Sequence, residues 1–150
     1  MKEYVLDANI IFSSLISGKQ LYRKLFENFI FYTPDFALNE IQKYQERLLI
    51  KTKLNKHDLQ EFTLFIFSKL IVALEFYISI ESRQKAYDLC KDIDLKDIIY
   101  VALSIEVQCP LITRDKPLYD GLIKQGFKNV ISFDNFINQV NKENNLFKLL

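Results

Sequence analysis

The sequence predicts an α/β fold of three layers, with helices covering both faces of a central parallel sheet of four to five short strands. Two observations carry this expectation. Short apolar runs of β-favouring residues, such as Tyr4-Val5-Leu6 and Leu111-Ile112-Thr113, alternate with longer segments whose apolar residues recur at helical spacing, the pattern of a parallel sheet buried on both sides. The composition agrees: the 150 residues are 49% apolar with three Gly and three Pro, too few turn formers for a loop-rich β architecture and too many apolar side chains for disorder. No linker or repeat divides the chain, so residues 1–150 read as a single domain.

Taken in order, Tyr4-Val5-Leu6 is the first strand and stops at Asp7. Ile10 to Ser17 is helical and closes at Gly18. Lys19 to Asn28 places Leu21, Tyr22, Leu25 and Phe26 on one helical stripe, and Phe29 to Tyr32 is the second strand. Thr33 and Pro34 suit the N-cap and first position of a third helix, carrying Phe36, Leu38, Ile41, Tyr44 and Leu48 to about Ile50. Beyond a basic stretch, Lys51 to Lys56, a helix starts near Asn55 and a weak strand is expected at Ile71-Val72. Helices follow over Ser82 to Lys91 and, as one piece, Asp94 to Glu106. Pro110 precedes the strand Leu111-Ile112-Thr113, Pro117 to Gln125 is helical and ends at Gly126, Asn129 to Ile131 is the last strand, and Phe133 to Asn141 is a closing helix.

Composition also bounds the chemistry. The net charge is +1, so any polyanion must be held by local patches rather than by the global field. The one histidine, His57, excludes a mechanism built on two imidazoles, and beside Asp58 it reads as part of a helix start. Cys90 and Cys109 have no zinc-ligand spacing and make no disulfide framework; they read as buried thiols of a reducing compartment. The N-terminus lacks a secretory pattern, and the most apolar stretch, Phe62 to Leu74, is shorter than the roughly 20 residues a bilayer requires. A cytoplasmic protein with no membrane segment is expected. Carboxylates are its abundant chemical resource.

Among them, Asp7 and Asp115 each follow an apolar strand, and in parallel sheets ligands bind at the carboxyl ends of strands. Asp94 and Asp97 open an apolar helix, and Glu40 lies on the third helix. Each has a plain alternative: Asp7 or Asn9 as an N-cap, Glu40 as a solvated residue, Asp94 as a cap with Asp97 in the first turn, where the helix dipole favours acids, Asp115 as a turn former before Pro117. Their conjunction is harder to dismiss, because acids follow both readable strands at one sheet edge.

The series Asp7-x-Asn9, Thr33-Pro34 leading to Glu40-Ile41, Asp97-Ile98-Ile99-Tyr100-Val101-Ala102-Leu103, and Leu111-Ile112-Thr113-Arg114-Asp115-Lys116 resembles the PIN-domain ribonucleases, in order, from about Tyr4 to Ile131. The resemblance implies that Asp7, Glu40, Asp97 and Asp115 are the catalytic acids and, with Asp94 less firmly aligned, the ligands of Mg²⁺ or Mn²⁺. Asn9 and Thr113 would orient those carboxylates, while Arg114, Lys116 and Lys96 would contact nucleic acid. It further implies endonucleolytic hydrolysis of RNA to 5′-phosphate and 3′-hydroxyl ends. Stand-alone members of this length are most often VapC-type toxins, homodimers inhibited by a small antitoxin protein, so that role is expected; a housekeeping RNA-processing nuclease is the alternative. A non-catalytic RNA-binding scaffold of the same fold should have lost its acids, and this chain keeps all four. A phosphatase of the haloacid dehalogenase kind needs a second Asp two residues after the first, where Asn9 stands. Lys51 to Ser82 aligns with no motif.

Overall fold

In the computed structural model, residues 1–144 are described. Five strands, β1 (Glu3–Leu6), β2 (Ile30–Pro34), β3 (Leu70–Ala73), β4 (Leu111–Thr113) and β5 (Val130–Ser132), form one sheet in the order β3-β2-β1-β4-β5, every neighbouring pair parallel. Among the described residues nine α-helices connect and cover them: α1 (Ala8–Ser17), α2 (Gln20–Asn28), α3 (Phe36–Lys43), α4 (Gln45–Lys51), α5 (Lys56–Lys69), α6 (Ile80–Cys90), α7 (Ile98–Val107), α8 (Lys116–Lys124) and α9 (Phe133–Asn144). The three-layer expectation is borne out, with five strands.

The period-2 alternation of a strand explains how so short a sheet supports two cores. Leu6, Phe31 and Ile112 point to one face, where they meet Ile10 and Leu15 of α1, Leu25 of α2, Ile66 of α5 and Phe136 of α9. Val5, Leu111 and Val130 point to the other, against Cys90 of α6, Val101 and Leu103 of α7 and Leu122 of α8. Both cysteines are buried and unpaired. No helix among the described residues is long and apolar enough to cross a membrane.

Three local expectations are corrected. Thr33 and Pro34 do not open a helix: they extend β2, pairing with Val72 and Ala73, and α3 starts at Phe36 after an Asp35 whose side chain makes no cap bond. Pro34 pushes the residue before it into the extended region, which suits a strand as well as an N-cap, and the buried Thr33 hydroxyl donates to the Leu6 carbonyl at 3.0 Å, tying β2 to β1. The helix expected to continue to Ile50 breaks at Tyr44, and the second piece, α4, packs Leu48 against α1. The segment from Asp94 begins as a 3₁₀ turn over Leu95–Asp97 before α7.

The chain leaves β1 on one side for β2 and β3, then returns to its other side for β4 and β5. The order therefore reverses between β1 and β4, and at such a point the connections leaving two neighbouring strands diverge and open a crevice at their carboxyl ends. Asp7 directly follows β1, and Asp115 lies two residues past β4, just before α8.

Candidate functional site

At that crevice Asp7 is 5% exposed. It caps α1, one carboxylate oxygen accepting from the Asn9 main-chain N–H at 3.0 Å and the other from the Thr113 hydroxyl at 3.0 Å. Asn9 thus supports Asp7 through its backbone, while its side chain is exposed. Thr113, 1% exposed, also accepts the Asp115 N–H at 3.0 Å, so one hydroxyl links the two acids across adjoining strands. Asp115 in turn caps α8 by accepting from the Leu118 N–H at 3.0 Å. The plain capping role considered for Asp7 is real, Asp115 caps a helix where a turn former was considered, and each carboxylate is left oriented at the sheet edge.

Asp94 and Asp97 divide differently. Asp94 is exposed and closes its own turn, accepting from the Lys96 N–H at 2.9 Å. Asp97 stands at the N-cap position of α7 but makes no side-chain cap bond, and its Oδ2 is buried with no hydrogen-bond partner. Burial pushes its pKa up to about 7, with Asp7, Asp115, Asp94 and Glu40 adding like-charge repulsion. Burial likewise raises Asp7, against the bonds from Asn9 and Thr113 that favour its ionised form, while Asp115 and Glu40 again act to raise it. Half-buried Glu40, on α3, lines a cleft with Asn9 and Arg114, the neighbours of Asp7 and Asp115 in sequence. Asp97 therefore feels the charge of the other four acids and Asp7 that of Asp115 and Glu40, although no three of the five have oxygens within 4.8 Å of each other. Among the described residues that closeness is found only at His57, Asp58 and Glu61, three exposed side chains in the first turns of α5.

The basic residues fall in distinct settings. Arg114 is exposed between two clefts, of about 600 Å³ beside Asp115 and Phe133 and about 480 Å³ beside Glu40 and Phe12. Its guanidinium donates to the Tyr22 hydroxyl at 2.8 Å and lies 4.3 Å from the Phe133 ring centre. Lys116 pairs with Asp120 at 2.8 Å on the surface, and Lys96 lines a separate hollow with Phe36 and Arg83. Among the tyrosines nearby, Tyr22 is core, Tyr44 is exposed at the second cleft, and Tyr119 lines the first.

One residue went unassigned although it sits in a quoted motif. Tyr100 is 3% exposed, its hydroxyl has no hydrogen-bond partner, and burial together with Asp7, Glu40 and Asp97 raises its pKa. Its position three residues after Asp97 on one helix face was the available signal. Cys90 is held inert: burial and neighbouring Asp97 push its thiol up to about 12.

The fold recurs in known proteins. The chain aligns along 87% of its length with 96% of a chain in the crystal structure of VapBC2 from Rickettsia felis bound to a DNA fragment from their promoter, at 18% identity and a TM-score of 0.54. It aligns along 85% of its length with 95% of a chain in a toxin–antitoxin complex from Klebsiella pneumoniae, at 18% identity and a TM-score of 0.56. No curated protein sequence matches it significantly. The PIN-domain profile matches residues 5–134, from the first strand through the start of the last helix. With that span and this sheet order together, the chain belongs to the PIN-domain family.

Proposed function

We propose that this protein is a divalent-metal-dependent endoribonuclease in which Asp7, Glu40, Asp97 and Asp115 hold Mg²⁺ or Mn²⁺, with Asp94 as an outer acid. The observation that carries the reading is the buried, partnerless Oδ2 of Asp97 at an edge where other acids already repel it. A desolvated carboxylate oxygen without a donor is costly, and a cation removes that cost. All-oxygen donors suit a hard ion that keeps several waters, so the acids do not have to close on a single point.

A bound ion of this kind supplies an activated water and neutralises developing phosphate charge. The chain's own residues do the rest. Thr113 and the Asn9 N–H fix the Asp7 carboxylate, so its orientation does not have to be selected when RNA arrives. Glu40, partly open to the cleft, orients the attacking water. Arg114 and Lys116 contact the RNA backbone, Lys116 exchanging an exposed, solvent-screened ion pair that costs little to give up. Lys96, in its separate hollow, contacts the strand farther along.

The likeness to two toxin–antitoxin assemblies supports a cellular role as the toxin of such a pair: a cytoplasmic homodimer inhibited by a small antitoxin protein. The test is purified protein on an RNA panel with Mg²⁺, Mn²⁺ or EDTA, beside Asp7→Asn and Asp97→Asn. Cleavage that needs the cation and disappears in both folded variants supports the reading. Equal cleavage by wild type and variants means contamination, and no cleavage by a folded, metal-loaded protein leaves the non-catalytic scaffold.

A further inference from the structure

Two of the molecule's clefts adjoin the acidic edge, and Arg114 belongs to the walls of both. How it is held is unusual. An arginine on a surface is ordinarily either free to sample rotamers or tied down by a carboxylate, and the second option spends its charge. Here the guanidinium is fixed by a neutral hydroxyl, Tyr22 at 2.8 Å, and by the face of Phe133 at 4.3 Å, a cation–π arrangement that leaves the net charge intact. Among the described residues no carboxylate lies within ion-pair distance of it. Tyr22 is only 4% exposed, and its ring is stacked on Phe133 with centres 6.0 Å apart and planes 12° from parallel. The two aromatic side chains thus form one rigid seat, anchored in the core, under a single exposed cation.

We infer that Tyr22 is a positioning residue for Arg114, and that Arg114, so seated, clamps a phosphate of single-stranded RNA on the ridge between the two clefts. The inference rests on the nuclease reading for its substrate, but on its own contacts for its geometry. Guanidinium recognition of phosphate is directional and bidentate, and the seat removes rotamer freedom that binding would otherwise have to freeze. Beside a group of acids, a positive charge held in place without a counter-ion also offsets the repulsion that an approaching polyanion meets.

The test is anisotropy of a fluorescently labelled single-stranded RNA oligonucleotide titrated with the full chain in EDTA. Wild type is compared with Tyr22→Phe, Arg114→Ala, Arg114→Lys and the Tyr22→Phe/Arg114→Ala double variant. Cleavage with Mn²⁺ is followed separately. The expected outcome is about tenfold weaker binding for Arg114→Ala and about threefold for Tyr22→Phe, with Arg114→Lys failing to restore wild-type affinity. The plot of log affinity against log salt should become shallower by about 0.7 for Arg114→Ala, as for one lost phosphate contact on a single strand. In the Arg114→Ala background Tyr22→Phe should have no further effect. A Tyr22→Phe defect of equal size in both backgrounds, or binding unchanged in every variant, overturns the inference. RNA binding with this pattern but no cleavage sinks the nuclease reading and leaves the seat standing. Metal-dependent cleavage with binding indifferent to Arg114 does the reverse, and absence of both sinks both.

Discussion

A single hydroxyl joins the two halves of the acidic edge. Thr113 donates to Asp7 and accepts from the Asp115 N–H, so Thr113→Val, nearly equal in volume, strands a part-buried N–H and frees one side of a buried carboxylate. The expected cost is about 1–3 kcal/mol in stability and about 10–100-fold in cleavage rate, read by thermal melting and initial rates. Asp97 sets a pH dependence of opposite sense to that of a salt-bridged acid. The unfolded chain releases this proton near pH 3.8 and the folded, metal-free protein only near 7. Its protonated form is thus favoured by folding. The stability it contributes is complete below about pH 4 and lost as pH rises to about 7, the raised Asp7 acting in the same direction. Denaturant titrations in EDTA across that interval should show the decline, and Asp97→Asn should flatten it.

The helix ends place these side chains. Asp7 and Asp115 both cap helices that leave the carboxyl ends of strands, whereas Asp97 heads α7 after a 3₁₀ turn and keeps an oxygen unused for capping. At its far end α1 is stopped by Gly18 at φ 60°, where a Cβ would approach Leu54 Cδ2 to 2.5 Å. Gly18→Ala therefore meets the left-handed penalty of about 1–2 kcal/mol and must also displace Leu54. A lower denaturation midpoint with unchanged cleavage per folded molecule is expected, and chemical denaturation followed by circular dichroism reads it.

Across the molecule, two cores on opposite faces hold the five strands in register, so a cation joining Asp7 to Asp97 and Asp115 would bridge positions far apart in the sequence. Mn²⁺ at a hundred times its Kd should then stabilise the protein by about 2.7 kcal/mol, visible as a rise in melting temperature that EDTA reverses. Because cation and proton compete for Asp97, the rise should be larger at pH 8 than at pH 5.5. The variant Asp7→Asn/Asp97→Asn should lose it. Persistence of the full shift in that variant would move the metal elsewhere, the exposed His57, Asp58 and Glu61 group being the alternative among the described residues.

The alternation of short apolar runs with helical stripes was enough to determine the layers, the parallel sheet and the edge on which Asp7 and Asp115 sit, because burial on both faces leaves that pattern in each segment separately. The Asp7 capping bond was legible for the same reason: a cap is a contact between residues two or three apart. Tertiary structure alone decided what depends on distant neighbours. Thr33 and Pro34 are strand because β3 pairs with them; Thr113 links two acids because β4 lies beside β1; Tyr22 meets Arg114 across 92 positions of sequence. Local propensity at these residues fitted more than one answer, and the choice fell to pairing and packing energies that arise only when the chain closes on itself.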